Sequence, residues 1–337
     1  MDLVSIKFAE ILATFCDESI DSITPLEQSG SSRTYFRIHT ASASYIGTQG
    51  QDVSENLAFI YFSKHFSSSG IRVPQVLGQS TDNRFYIQED LGDQSLYQLL
   101  LSATSAHSNQ LYQYYQEAID LLVEVHTKGS QHINFSQCYP TAEFDQQAIA
   151  WDLDYFKYYF LKLNDIVFDE YALNGEFDVL TQAAAAIERP SFMVRDFQSR
   201  NIMLAGDKLA LIDFQGGRKG PLQYDLVSLL WQAKANLPMD WKESLKDYYF
   251  KQIQLFYQQD KADFEKGYWL FILIRTMQVL GAYGLRGIVQ RKEHFLQSIP
   301  FALENLRYLL EEQYDQLPDI PSIRQVFLNY YKQYQHV

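Results

Sequence analysis

Apolar positions in the first third of the chain change period more than once. Ile6, Phe8, Ile11, Leu12 and Phe15 recur at helical spacing and predict an amphipathic helix over 4–15. After a turn-like start at 22–27, the segments 35–38, 42–48, 73–77 and 84–88 read as strands. Between them 53–66 returns to helical spacing through Leu57, Phe59, Ile60 and Phe62. From Leu96 onward the pattern is mostly helical, over 96–101, 111–125, 177–187, 225–231, 240–257, 263–285, 293–310 and 321–334. Gly281, Gly284 and Gly287 are expected to loosen the end of the helix at 263–285. Two short apolar runs, 192–194 and 209–212, interrupt the helical pattern and look like buried strands. Strands gathered at one end and helices at the other predict an α+β chain. Its 337 residues suit two cores better than one. The expected division is a small lobe with an antiparallel sheet at 1–91 and a larger, mainly helical lobe at 92–337.

Composition narrows the function. Hydrophobic residues make up 47% and charged residues 20%, as in a globular chain and not a disordered one. A formal charge of −13 argues against a general nucleic-acid binder and gives no support for an anionic membrane surface. Cys16 and Cys138 alone do not make a disulfide framework and suit a reducing compartment. The N-terminus has no basic stretch followed by an apolar run, so no signal peptide is expected. The apolar stretch 268–274 is expected to be too short to span a bilayer, and it meets Arg275. A cytoplasmic location is therefore expected. The histidines are not spaced as a metal site, and His126 at a helix end reads as structural.

The candidate chemistry sits where the two short strands end. Val194-Arg195-Asp196 closes the first, and Ile212-Asp213-Phe214 closes the second. Asn201 follows Asp196 by five residues. A carboxylate at Asp196 can accept the proton of an attacking hydroxyl. Hard oxygen donors at Asn201 and Asp213 can hold Mg2+ against phosphates. Arg195 can anchor the loop, and Arg200 can face an anionic group. Asp and Asn near strand ends are also ordinary turn residues, so a single Asp-to-Asn spacing would carry little by itself.

Other features have two readings each. Gly30, Ser31 and Ser32 precede a strand, where small residues let backbone N–H groups approach phosphates, or simply form a hairpin. Glu55 is either a partner for a cation or a favourable charge in a helix's first turn. Arg275 and Gln278, three apart on one helix face, either offer donors to a substrate or bond within the helical core.

Together these residues resemble the aminoglycoside phosphotransferase superfamily of small-molecule kinases. The resemblance rests on Ser31-Ser32-Arg33-Thr34-Tyr35-Phe36-Arg37, Glu55-Asn56, Glu89-Asp90-Leu91-Gly92-Asp93, Arg195 through Asn201, Asp213-Phe214-Gln215, Gly220-Pro221 and Tyr224-Asp225-Leu226. Within the superfamily the chain is most similar to bacterial kinases that phosphorylate N-acetylmuramate and N-acetylglucosamine at the anomeric position. The resemblance implies a two-lobed protein-kinase-like fold, with ATP and Mg2+ as cofactors and an amino sugar as acceptor in peptidoglycan recycling. It also implies Asp196 as base, Asn201 and Asp213 as metal ligands, and Asp225 as a brace for the catalytic loop. Gln88, Glu89, Asp90 and Leu91 would meet adenine. The alternatives are another small alcohol as acceptor, such as an aminoglycoside or a choline-like molecule, and a nucleotide-binding pseudokinase. Two departures stand out. Val194 replaces the usual histidine, and no lysine occurs between Arg37 and Lys64, where a kinase strand carries its phosphate-pairing lysine.

Overall fold

The computed structural model describes residues 3–26, 33–103 and 108–334. It forms two compact units. The first comprises Met1–Ser102, Glu124–Ala142 and Val194–Arg218; the second comprises Ala103–Val123, Glu143–Met193 and Lys219–Val337.

The first unit is built on a five-stranded antiparallel sheet. Its strands are β1 (Ser22–Pro25), β2 (Thr34–His39), β3 (Ser44–Gln49), β4 (Val76–Gln79) and β5 (Phe85–Glu89), in the order β1-β2-β3-β5-β4. Period-2 alternation assigns a helix to each face. Phe36, Ile38, Phe85 and Ile87 pack with Phe8, Ile11 and Leu12 of α1 (Leu3–Leu12). On the other face Tyr86 stacks on Phe59 of α2 (Val53–Ser68). The strand expected at 73–77 begins at Val76 instead, because Pro74 has no N–H to give a ladder. Gly92, at φ +82°, lets the chain leave the sheet toward α3 (Leu96–Ser102).

The two short apolar runs do not pair with each other. The first is β6 (Ser191–Met193); the second is β8 (Lys208–Leu211), which pairs with β7 (Ile202–Ala205) around the Gly206-Asp207 turn. β6 pairs instead with β9 (Arg218–Gly220). The partner strand β7 has no alternating pattern that marks it in the sequence.

The second unit is helical. Most of α4 (Asn109–His126) belongs to it, with α5 (Gln146–Phe156), α6 (Glu170–Ala185), α7 (Leu222–Leu230) and α8 (Met239–Ile253). It continues through α9 (Lys261–Tyr283), α10 (Glu293–Leu296), α11 (Ile299–Glu312) and α12 (Pro321–Tyr334). The single helix expected at 293–310 is two, with the break just before Pro300 at the start of α11. α9 is the core of the unit and packs on α5, α7 and α11. With its continuation to Val289 it is long and apolar enough to cross a membrane by length and composition, contrary to the expectation from 268–274. Of its most apolar window, 72% is buried inside the protein.

The glycines of this helix do not loosen it. Gly281 lies within α9 and Gly284 begins a π-helical continuation. They allow close approach: a Cβ on Gly284 would stand 1.6 Å from the Tyr159 carbonyl oxygen, and one on Gly281 2.8 Å from that of Tyr155. Gly284→Ala should therefore force the two segments apart, at about 1–3 kcal/mol, the usual cost of overpacking. A thermal melt should show a midpoint lowered by several degrees, and an unchanged midpoint would mean the backbones are not this close.

The N-terminus of α2 is capped by a side chain. Asp52 accepts hydrogen bonds from Ser54 N (3.0 Å) and Glu55 N (3.2 Å), and the Tyr139 hydroxyl donates to its other oxygen. Asp52→Ala should cost about 1 kcal/mol, typical of a lost cap. The Tyr139 hydrogen bond and the backbone N–H groups hold this carboxyl below the ordinary aspartate value of 3.8, against a smaller opposing effect of burial. Its contribution is thus complete above that value and is lost as pH falls through the lower folded value. Melts of wild type and Asp52→Ala from about pH 7 to about pH 3 should show the gap closing on acidification. A gap independent of pH would remove the cap from this account.

Candidate active site

The loop after β6 is shaped by its own backbone. Arg195 takes a left-handed conformation at φ +74°, which a non-glycine residue adopts only when its surroundings demand it. The Asp196 carbonyl then accepts from Gln198 N (2.8 Å) and from Asn201 Nδ2 (2.9 Å). Asn201 N donates to the Gln198 carbonyl at 2.8 Å. These bonds close the five-residue spacing into a compact loop. They also orient the Asn201 carboxamide, because its nitrogen is engaged and its oxygen is the atom left for a cation.

The β7–β8 hairpin brings the second carboxylate to this loop. Ile202 pairs with Leu211, and one step further Ile212 N donates to the Asn201 carbonyl at 2.9 Å. Asp213 follows at once, with φ +61°. Its Oδ1 accepts from Arg33 Nη2 at 3.0 Å and from Gln215 Nε2 at 2.9 Å. Oδ2 is left for another partner, and the side chain is 39% exposed. A carboxylate and a carboxamide oxygen held this way are the hard donors that Mg2+ takes. The chemistry of the donor set therefore fits that ion.

Behind Asp213 lies a charged cluster in which Glu55 is the expected partner of a cation, while the cation itself, Arg33, and Gln215 are not assigned by sequence reasoning. Arg33, which precedes β2, is 1% exposed. Its Nε lies 3.6 Å from Glu55 Oε1, and its Nη1 donates to the Tyr86 hydroxyl at 3.3 Å. The guanidinium also faces the rings of Tyr35 and Phe59 at 5.5 and 5.8 Å. Burial works against its charge, but Tyr86, Tyr35, Asp213 and Glu55 hold its pKa above the ordinary arginine value. Burial raises the Glu55 pKa; Arg33 pulls it down and Asp213 pushes it up. Gln215 is buried, reaches Glu55 Oε1 at 3.5 Å, and has an Oε1 with no hydrogen-bond partner. The signal for Arg33 was its place just after a run of small residues, and for Gln215 its place two residues beyond Asp213.

The other expected site residues fall as follows. Gly30, Ser31 and Ser32 lie outside the described residues. Gln88 is buried with its Oε1 unpartnered. Glu89 forms a two-pronged ion pair with Arg72 at 2.8 and 2.5 Å. Asp90 is held by Arg37 Nε at 2.7 Å and Ser44 Oγ at 2.9 Å. Leu91 joins an apolar cluster with Met203 and Ala210. Glu89 N also donates to the Gln75 carbonyl at 2.9 Å and Gln88 pairs with both Ile46 and Val76, so the main chain leaves the ladder only at Asp90. Arg200 is exposed, and its charge acts on Tyr97 of α3.

In the second unit Asp225 is fully buried in α7. Arg275 of α9 is 6% exposed. It donates through Nε to Ser228 Oγ at 3.2 Å and through Nη1 to Gln278 Oε1, and it faces the Tyr224 ring at 5.8 Å. The Arg275–Gln278 pair is thus bonded within its own helix and to α7. A cavity of about 680 Å³ in this unit, lined by Gln223, Asp260, Gly267 and Leu317 among others, includes none of the candidate residues.

Comparison with known proteins bears on the family and the fold. The chain is 25% identical over 240 residues to an N-acetylmuramate/N-acetylglucosamine kinase of Pseudomonas aeruginosa, a match covering 68% of this chain and 65% of that protein. It is 27% identical over 244 residues to one of Neisseria meningitidis, covering 71% and 68%. The chain therefore spans about two thirds of the length of these curated relatives. Among solved structures it resembles a choline kinase from Cryptosporidium parvum Iowa II, with TM-score 0.61, 13% identity and coverage of 92% and 93%. It also resembles a spectinomycin phosphotransferase solved with ADP and spectinomycin, with TM-score 0.58, 13% identity and coverage of 95% and 96%. These two show the kinase-like fold. The model of the phosphotransferase enzyme family matches residues 22–263, well over half of the sequence, and the chain belongs to that family.

Proposed function

We propose that the protein transfers the γ-phosphoryl group of ATP to the anomeric hydroxyl of an amino sugar, N-acetylmuramate or N-acetylglucosamine. The observation that carries this is the single hydrogen-bonded loop and hairpin that present Asp196, Asn201 and Asp213 together. The names of the two curated relatives support the acceptor. On this reading residues 1–91 serve the nucleotide, with the main chain at 88–91 against adenine, and 92–337 carry catalysis and the acceptor. The work belongs to cell-wall recycling in the cytoplasm, where two free cysteines are at home.

Asp196 orients the acceptor hydroxyl and takes its proton as the new P–O bond forms. An anomeric hydroxyl is more acidic than an ordinary alcohol, because the ring oxygen stabilises the developing negative charge, so orientation is the larger part of this task. Asn201 and Asp213 would hold Mg2+, which when bound neutralises phosphate charge. Arg200, exposed within the loop, would meet the anionic part of an N-acetylmuramate acceptor.

Three experiments test this. Asp213→Asn should leave the fold intact and abolish turnover, since removing a metal-held charge costs several kcal/mol in the transition state. A folded Asp213→Asn protein with near wild-type kcat would sink the metal assignment. Asp196→Asn should lower kcat by roughly 10²–10⁴, as for other general bases. Wild type should form sugar phosphate from N-acetylglucosamine or N-acetylmuramate, and form none from their 1-O-methyl glycosides. Phosphorylation of a methyl glycoside would move the reaction to another hydroxyl.

A further inference from the structure

β3 presents no lysine toward the nucleotide side of the sheet. Its residues are Ser44, Tyr45, Ile46, Gly47, Thr48 and Gln49. Thr48 is fully buried and stands in the ladder between Tyr35 of β2 and Tyr86 of β5. A charge is present nevertheless, and it comes from the residue just before the neighbouring strand β2. Arg33 lies on the Tyr35 side of β2 by strand alternation and reaches Tyr86, Glu55 and Asp213 at once. Resting on the geometry that underlies the proposed transfer, we infer that Arg33 is the positioning residue that fixes the Asp213 carboxylate to Glu55 of α2, in place of a β3 lysine.

Three observations carry the inference. A cation that is 1% exposed is costly unless its bonds are met, and here two carboxylates and a phenol meet them. The partners lie in three directions, which a planar guanidinium spans and a single ammonium does not. The hydrophobic contacts repeat the same connection. Phe59, one turn after Glu55, stacks on Phe214, the residue after Asp213, with centroids 4.8 Å apart and planes at 7°. Thus α2 meets the Asp213-Phe214 dipeptide twice, through charge by way of Arg33 and through the ring pair. Asp213 sits in a left-handed backbone that a loose side chain would not hold. Its burial makes Arg33 a support for the carboxylate and not a surface that greets the nucleotide.

The test compares wild type with Arg33→Lys, Arg33→Met and Glu55→Gln, each checked by circular dichroism and thermal melting. Nucleotide binding is measured by calorimetry with ADP alone and with ADP plus Mg2+, a readout that needs no acceptor. Mg2+ should tighten ADP binding to wild type, and this enhancement should shrink at least about fivefold in folded Arg33→Met, since Asp213 is no longer aimed. In turnover, kcat should fall roughly 10- to 100-fold, as a misplaced group costs, with the acceptor KM unchanged. Arg33→Lys should recover stability more than kcat. If Arg33→Met does not fold, Arg33→Lys and Glu55→Gln carry the test, and each should show the reduced Mg2+ enhancement. A folded variant with wild-type enhancement and kcat, whatever its melting point, would show a purely structural arginine and overturn the inference. An enhancement that grows would overturn it too, because Arg33 would then be a counter-charge that repels the cation. Failure of wild type to phosphorylate any sugar would count against the acceptor alone and leave the ADP comparison standing.

Discussion

One hydrogen bond outside any regular ladder, from Ile212 N to the Asn201 carbonyl, joins the loop that holds Asp196 to the strand end that holds Asp213. The β7–β8 hairpin supplies the pairing that leads up to it, and Leu211 N, bonded to the Arg72 carbonyl at 2.9 Å, fastens the hairpin to the segment before β4. A slip of one residue would turn Asp213 to the opposite face. Two of the left-handed non-glycine residues, Arg195 and Asp213, lie one before Asp196 and one at the second carboxylate itself. Backbone conformations of this kind cost free energy, and the surrounding bonds are what sustain them.

The candidate site is legible in the sequence because its members are close along the chain and of few types. Asp196, Asn201 and Asp213 fall within one short stretch, and their spacing survives folding as a loop and a hairpin. The sheet and the helices are legible from period, and they appear as an antiparallel five-stranded sheet followed by a mostly helical remainder. Arg33 is not legible in the same way. It stands 180 residues before Asp213, and nothing in a local pattern connects them. The commitments of Glu89 and Asp90 are likewise invisible until Arg72 and Arg37 are seen beside them.

The glycines near the end of α9 show a different limit. In a one-dimensional pattern a glycine in a helix reads as weakness. At Gly281 and Gly284 the missing side chain is filled by the backbone of α5 and the segment after it. The same residue type is therefore a source of close packing when a neighbour occupies the space. The same limit governs Arg275 and Gln278, where three-residue spacing marks a shared face without saying what the face meets. In the folded chain they meet each other and Ser228.

The first unit is discontinuous in sequence, and this has a consequence for its birth on the ribosome. The sheet, α1 and α2 are all made within the first hundred residues, yet the unit also needs Val194–Arg218. Until residue 214 is made, the face of Phe59 that stacks on Phe214 has no cover, and Arg33 lacks one of its two carboxylates. The nascent sheet therefore waits, with an apolar ring and a cation half satisfied, while Glu143–Met193 of the other unit is synthesised. A chain cut short before that point can build strands but not the loop and hairpin that hold Asp196, Asn201 and Asp213, so the candidate site exists only after the majority of the polypeptide does.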